Sequence, residues 1–181
     1  MDENQEKSVI PLSKAPGSKE AWSKPAFIIL LWIFVEFLFV TNSLQLSSTV
    51  RAAAMRLFGA KIGKGVILRP RLRVKFPWNL EIGNDCWIGE GVWIHNQDKV
   101  KISHDVCISQ ETFITTGSHN FRKDMALITK PVVIESGVWI CSRAIITQGV
   151  RVGINAVIAA GSLVTRDIAP NSIGNSGRRF H

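Results

Sequence analysis

The chain has 181 residues, 46% of them hydrophobic and 20% charged, which suits one packed domain with a short appendage and argues against wholesale disorder. Its formal net charge is +8, but no nucleic-acid-binding motif accompanies the charge, so no nucleic-acid partner is expected. The three cysteines, Cys86, Cys107 and Cys141, are far apart and lack CxxC spacing. They point to neither a disulfide framework nor a zinc knuckle, and they fit a reducing cytoplasm.

Residues 1–24 form a polar tail with four basic and four acidic side chains. No small-residue cleavage site follows an early apolar run there, so no secretory signal is read. Residues 25–58 are an apolar and basic segment predicted to be helical. Its apolar run, AFIILLWIFVEFLFV from Ala26 to Val40, spans 15 residues and contains Glu36. That is short of the roughly 20 residues a bilayer-crossing helix needs, so the run predicts a helix that packs on the body or lies in a membrane interface. The excess charge sits just beyond it. Arg51, Arg56, Lys61, Lys64, Arg69, Arg71, Arg73 and Lys75 have no acidic neighbour between them. Such a block reads either as a surface for anionic lipid headgroups or a sugar diphosphate, or as a solvated face.

From residue 59 to 170 the sequence is periodic. Aliphatic residues recur every six positions: Ile62, Leu68, Val74; Ile82, Ile88, Ile94; Ile102, Ile108, Ile114; Ile134, Ile140, Ile146; Val152, Ile158, Val164. Small residues dominate the fifth position of each hexad, among them Cys86, Thr112, Ala144, Ala156 and Ser162. Gly63, Gly83, Gly89 and Gly153 hold the second position, where a turn is expected to need a permissive backbone. Three short strands and three turns then make one triangular coil of about eighteen residues, and stacked coils bury one another. The expected architecture is all-β: about five coils, 62–81, 82–101, 102–119, 134–151 and 152–169, with 171–181 as a C-terminal tail. A sandwich of ordinary strands does not explain so strict a period, and helical repeats are longer.

The repeat breaks from Asn120 to Val133. A loop thrown out of a regular solenoid is a candidate functional element. It is introduced by TTGSHN, residues 115–120. His119 ends its hexad, so its side chain is expected to point outward at the loop base. Histidine is suited to act as a base near neutral pH. Asp124 and Glu135 lie close enough in sequence to orient it, and a backbone carbonyl would serve as well.

The stretches RLFGAKIGKGV (56–66), PWNLEIG (77–83), WIGEGVWI (87–94), VCISQETFITTGSHNFR (106–122), ITKPVVIESGVWI (128–140) and AAGSLVTRDIAPNS (159–172) resemble the hexapeptide-repeat acyltransferases. Within them the chain is similar to the colanic-acid-biosynthesis, maltose, galactoside and nodulation acetyltransferases. The resemblance implies a left-handed parallel β-helix and a homotrimer with active sites between adjacent subunits. It implies acetyl-CoA as co-substrate with no separate cofactor or metal, and a carbohydrate acceptor in exopolysaccharide biosynthesis; the cysteines and the apolar segment add the expectation of a place in the cytoplasm or at the inner face of the membrane. By position it implies His119 as general base, Asn96 on the acceptor side, and Trp139, Ser142, Ala160, Thr165 and Arg166 as CoA contacts. The tail GNSGRRFH (174–181) departs from the relatives' Gly-Asn-Pro-Ala segment, and Arg178 and Arg179 are further candidates for CoA phosphates. Two rival readings are a non-catalytic scaffold and a zinc enzyme resembling the γ-class carbonic anhydrases. The latter requires three histidines on one metal, and position 124 is Asp.

Overall fold

The hexad positions become strands of two or three residues because each aliphatic side chain turns inward and its neighbour turns out. In the computed structural model, which describes residues 10–16 and 23–174, all fifteen aliphatic positions are buried. The strands stack into three parallel sheets, the faces of a left-handed triangular prism of about six turns. The first face holds Lys61–Ile62, Leu80–Ile82, Val100–Ile102, Val132–Ile134 and Arg151–Val152. The second holds Ile67–Leu68, Trp87–Ile88, Cys107–Ile108, Trp139–Ile140, Val157–Ile158 and Ile173–Gly174. The third holds Arg73–Val74, Trp93–His95, Phe113–Thr115, Ile145–Ile146 and Leu163–Val164. Registers run ladder to ladder, as in Ile62↔Ile82↔Ile102↔Ile134↔Val152.

Two expectations are corrected here. The coils do not end at 169: Ile168 bridges to Val152, and Ile173–Gly174 adds a strand beside Val157–Ile158. The hexad frame lost this turn because Ala169 and Pro170 interrupt its spacing. Residues 175–181, with Arg178 and Arg179, lie outside the described residues, as does most of the polar N-terminal tail. The second correction concerns the glycines. The left-handed backbone falls at the fourth hexad position, at Gly65, Arg71, Asp85, Gly91, Asp105, Glu111, Gly137, Arg143, Gly149, Asn155 and Gly161. The second-position glycines are required by stacking instead. A Cβ on Gly83 would meet the Ser103 carbonyl at 2.7 Å, and one on Gly153 would meet Pro170 N at 2.6 Å.

The first coil would expose open sheet edges, and the N-terminal segment covers them. Helix α1 (Ala26–Val35) runs into a π-helical turn (Glu36–Thr41), and helix α2 (Ser48–Leu57) follows. Trp32 donates to Val74 O at 2.9 Å, while Glu36 accepts from Val74 N at 2.7 Å. The Thr41 hydroxyl reaches Leu72 O. Ser48 accepts from Leu68 N and donates to Val66 O. Arg51, fully buried, donates to the carbonyls of Val40, Asn42, Gln45 and Leu68. Arg56 donates to Ile62 O and Gly63 O. Side chains thus satisfy backbone groups of the first strand on all three faces.

The cap takes Arg51 and Arg56 out of the basic block, and contacts within the coils take more of it. Besides Arg51 and Arg56, Lys61 pairs with Glu81 at 2.7 Å and Arg71 with Glu90 at 2.9 Å. Arg73 lies over the Trp93 ring at 3.9 Å. The block is therefore not one continuous cationic surface.

Candidate active site

The hairpin that carries His119 departs where the third face turns toward the first. Gly117–His119 pairs antiparallel with Leu127–Thr129, and the chain rejoins the first face at Val132–Ile134. The expected loop 120–133 is therefore a strand-paired arm with a short tip, because backbone leaving the solenoid still needs hydrogen-bond partners. Thr116 anchors the base. It is buried, its N–H donates to His95 O, its carbonyl accepts from Lys130 N, and its hydroxyl accepts from Asp98 N at 2.8 Å. A Cβ on Gly117 would sit 2.0 Å from Gln97 Oε1, so a side chain there would displace the Gln97 amide.

At the tip, the amides of Lys123, Asp124 and Met125 all donate to Asn120 O, and Asp124 caps Ala126 N. Met125 takes a left-handed conformation, φ 58°. That conformation is uncommon for a residue with a bulky side chain. It turns the Met125 carbonyl back to His119, whose Nδ1 lies 2.9 Å away. A carbonyl only accepts, so Nδ1 donates to it, and in the neutral ring the lone pair is then on Nε2. The orienting partner is thus a backbone carbonyl. Glu135 is committed elsewhere, to Arg151 at 2.6 Å and Ile154 N at 2.9 Å. Nothing in the sequence signals Met125.

The other candidates fall in separate places. Trp139 stands half exposed on the second face, its indole N–H donating to Ser109 Oγ at 3.0 Å. Ser142 and Ala160 line a cavity of about 540 Å³ at the adjoining corner with Gln110, Glu111, Arg143 and Gly161. Thr165 and Arg166 are exposed at the next corner, beyond Leu163–Val164, below the departure of the hairpin. Each face is about 15–20 Å wide, from five or six residues at roughly 3.3 Å each. One chain therefore does not bring Ser142 and Ala160 to His119.

Asn96, expected on the acceptor side, lies inside the coils. It is fully buried, with Oδ1 accepting from Phe76 N at 3.0 Å and Nδ2 donating to Phe76 O at 2.7 Å. Its amide imitates a strand neighbour for Phe76. The cysteines are packing groups. Cys86 is buried with its thiol on Ser103 O, and burial holds the Cys86 and Cys107 thiols above their ordinary range. The histidines are dispersed: His104 Nδ1 accepts from Asn84 N at one corner, His95 packs by Trp93 and Phe113 on the third face, and His119 sits on the hairpin. Among the described residues no three His, Cys, Asp or Glu side chains gather as a metal site would require.

Outward-facing residues differ by face. The first face presents Lys61, Glu81, Lys101, Val133 and Arg151. The second presents Ile67, Trp87, Cys107, Trp139, Val157 and Ile173, and the third Arg73, Trp93, Phe113, Ile145 and Leu163. One face is charged and two are largely apolar.

No family profile matches the sequence. Individual proteins do. The chain is 32% identical over 149 residues, 82% of either chain, to the Escherichia coli (strain K12) protein WcaF, named provisionally as a colanic acid biosynthesis acetyltransferase. It is 32% identical over 127 residues to the galactoside O-acetyltransferase of the same strain, covering 68% of this chain and 63% of that one. The hexapeptide-repeat acetyltransferase VCA0836 of Vibrio cholerae superposes with a TM-score of 0.76 at 26% identity, over 86% of this chain and 90% of that chain. A second structure of the Vibrio protein holds acetyl coenzyme A. By its coiled fold, its hairpin and these relatives, the chain belongs to the hexapeptide-repeat acetyltransferases.

Proposed function

We propose that the protein transfers an acetyl group from acetyl-CoA to a sugar hydroxyl, with His119 as general base, in sites built between adjacent subunits of a homotrimer. The observation that carries this reading is the bond between His119 Nδ1 and Met125 O, which leaves Nε2 as an oriented proton acceptor on an exposed arm. Acetyl-CoA is the donor bound by the Vibrio protein, and a galactoside is the acceptor named for one relative.

Both substrates are held at once. Nε2 takes the hydroxyl proton as the acceptor oxygen attacks the thioester carbon. The new C–O bond forms, the C–S bond breaks, and the proton passes from the imidazolium to the departing CoA sulfur. A backbone amide stabilises the oxyanion. No covalent enzyme intermediate is involved, which suits thiols held above their ordinary range.

Two facts support the trimer. A prism with one charged and two apolar faces is suited to meet one neighbour with each apolar face, and an unpaired chain leaves Ser142 and Ala160 a face-width from His119. In the assembly, the hairpin of one subunit serves the second face and adjoining corner of the next, where Trp139, Ser142 and Ala160 hold the pantetheine arm. Thr165 and Arg166 then meet the cofactor from their own corner. The acceptor belongs to an exopolysaccharide unit. No described helix is long and apolar enough to cross a membrane, but α1 and the π turn expose Phe27, Leu30, Leu31, Ile33, Phe34 and Phe37. Their only ionisable residue, Glu36, is turned inward. Such a face fits contact with the inner leaflet, from the cytoplasm.

The test is His119→Ala. It is expected to lower kcat by roughly 10²–10⁴-fold while acetyl-CoA affinity stays at the wild-type value. Wild-type turnover in the variant would remove His119 from the mechanism.

A further inference from the structure

Resting on the proposed transfer of acetyl to a sugar, we infer that the acceptor carries an anionic group, which Arg69 holds while Trp87 stacks on the sugar ring. A cavity of about 280 Å³ lies on the second face, lined by Ile67, Arg69, Trp87, Cys107, Ser109 and Gln110, among others. It adjoins the cavity of Ser142 and Ala160, since Gln110 lines both. The two form one trough along the prism, with the positions expected to hold CoA at one end.

The cavity takes Ile67, Trp87 and Cys107 from the ladder Ile67↔Trp87↔Cys107↔Trp139, and Trp139 stands one rung beyond it. The two indoles are separated by one small residue, hence by about 10 Å, two strand spacings. Trp139 is tied to Ser109 and faces the CoA end. Trp87 is 60% exposed, takes no part in the core, and lines the cavity between Ile67 and Cys107. An exposed indole beside a polar rim stacks on the apolar face of a sugar ring. The volume is at the small end of ligand sites, about 300–1,000 Å³, which matches one ring better than a chain.

Arg69 supplies the charge selection. Six other members of the basic block are occupied by backbone carbonyls, carboxylates or aromatic rings: Arg51, Arg56, Lys61, Arg71, Arg73 and Lys75. Lys64 lies in a turn away from the cavity. Arg69 lines the cavity, and among the described residues its side chain has no hydrogen bond or ion pair. The carboxylates at the neighbouring corner are already neutralised, Glu90 by Arg71 and Glu111 by Arg143 at 2.7 Å. Its ladder neighbour Gly89 adds no side chain to the face, because a Cβ there would meet Gln110 N at 2.7 Å. A guanidinium left without a partner beside a stacking platform is matched by a carboxylate or phosphate, which it binds in a fork.

That anion comes either from a uronate carboxylate or from the phosphate of an activated or carrier-linked sugar. Both are distinguished by measuring acetyl-CoA-dependent thiol release with three acceptors: 4-nitrophenyl β-D-glucuronide, the matching β-D-glucoside, and UDP-glucose. One charged acceptor is expected to exceed the glucoside in kcat/KM. The Arg69→Gln variant should reduce that preference about 10- to 100-fold, with partial rescue by Arg69→Lys, and Trp87→Ala should lower kcat/KM for all acceptors. Preference for the glucuronide assigns the carboxylate, and preference for UDP-glucose the phosphate. Equal use of the three, use of none, or a preference that survives Arg69→Gln overturns the inference. Titration with acetyl-CoA separates the cases: a protein that binds acetyl-CoA and shows His119-dependent transfer without charge preference loses only this inference, whereas one that does not bind it loses the acetyltransferase reading.

Discussion

His119 shows how far a residue's chemistry is legible before its surroundings are known. Its position at the end of a hexad and before a break in the repeat marked it as outward-facing, and it is exposed on the hairpin. Its tautomer was not legible, because the group that sets it is a peptide carbonyl turned by the left-handed conformation of Met125. Asn96 is the opposite case. Its residue type suits acceptor binding, but only the stacking of coils shows that Phe76 takes both of its amide atoms. Glu36 carries a prediction at this scale. Burial outweighs the hydrogen bond from Val74 N and the nearby Arg73 charge, and raises its pKa from 4.5 to about 6. A carboxyl raised in the folded state contributes stability that is complete below its unfolded pKa and lost as pH rises through the folded one. The protein should therefore lose about 2 kcal/mol of cap stability between pH 4.5 and 6. Glu36→Gln, which keeps an oxygen for Val74 N, should flatten that slope in urea titrations, and an unchanged slope would place its cause elsewhere.

At the scale of elements, the strands were nearly all legible. A period of six with an aliphatic inward position is a local rule repeated fifteen times, and every such residue is buried. Non-local pairings hid the rest. The sixth turn is held by Ile168 against Val152 and by Ile173–Gly174 against Val157–Ile158, after the spacing has slipped. The hairpin arms look like an aperiodic loop because their partners are each other. The apolar segment reads as a helix, but its work as a cap is carried by polar side chains at unrelated sequence positions. Arg51 is the strongest case, a buried guanidinium serving four carbonyls. Charged hydrogen bonds contribute about 1.5–3 kcal/mol each and are non-additive when shared. Arg51→Ala is thus predicted to destabilise the protein by at least about 3 kcal/mol. Arg51→Lys should rescue little, since an ammonium does not reproduce the planar fork. A shift in the urea midpoint equivalent to less than about 1 kcal/mol would show that the cap is not held this way.

For the whole molecule, the uneven faces of the prism matter most. The charged first face is suited to water, and the apolar second and third to neighbours. If catalysis needs two subunits, assembly and activity fail together. Ile145→Glu, on the outside of the third face and away from both cavities, is predicted to give a folded protein of lower mass by light scattering and to lose activity in proportion. A fully active monomer would show that one chain holds a complete site. The central claim, that the trough along the second face receives acetyl-CoA for direct transfer, is tested most directly by calorimetric titration of the purified protein with acetyl-CoA. The account predicts saturable binding at one site per subunit, with the same affinity in wild type and His119→Ala. A folded assembly that takes up no acetyl-CoA would contradict it.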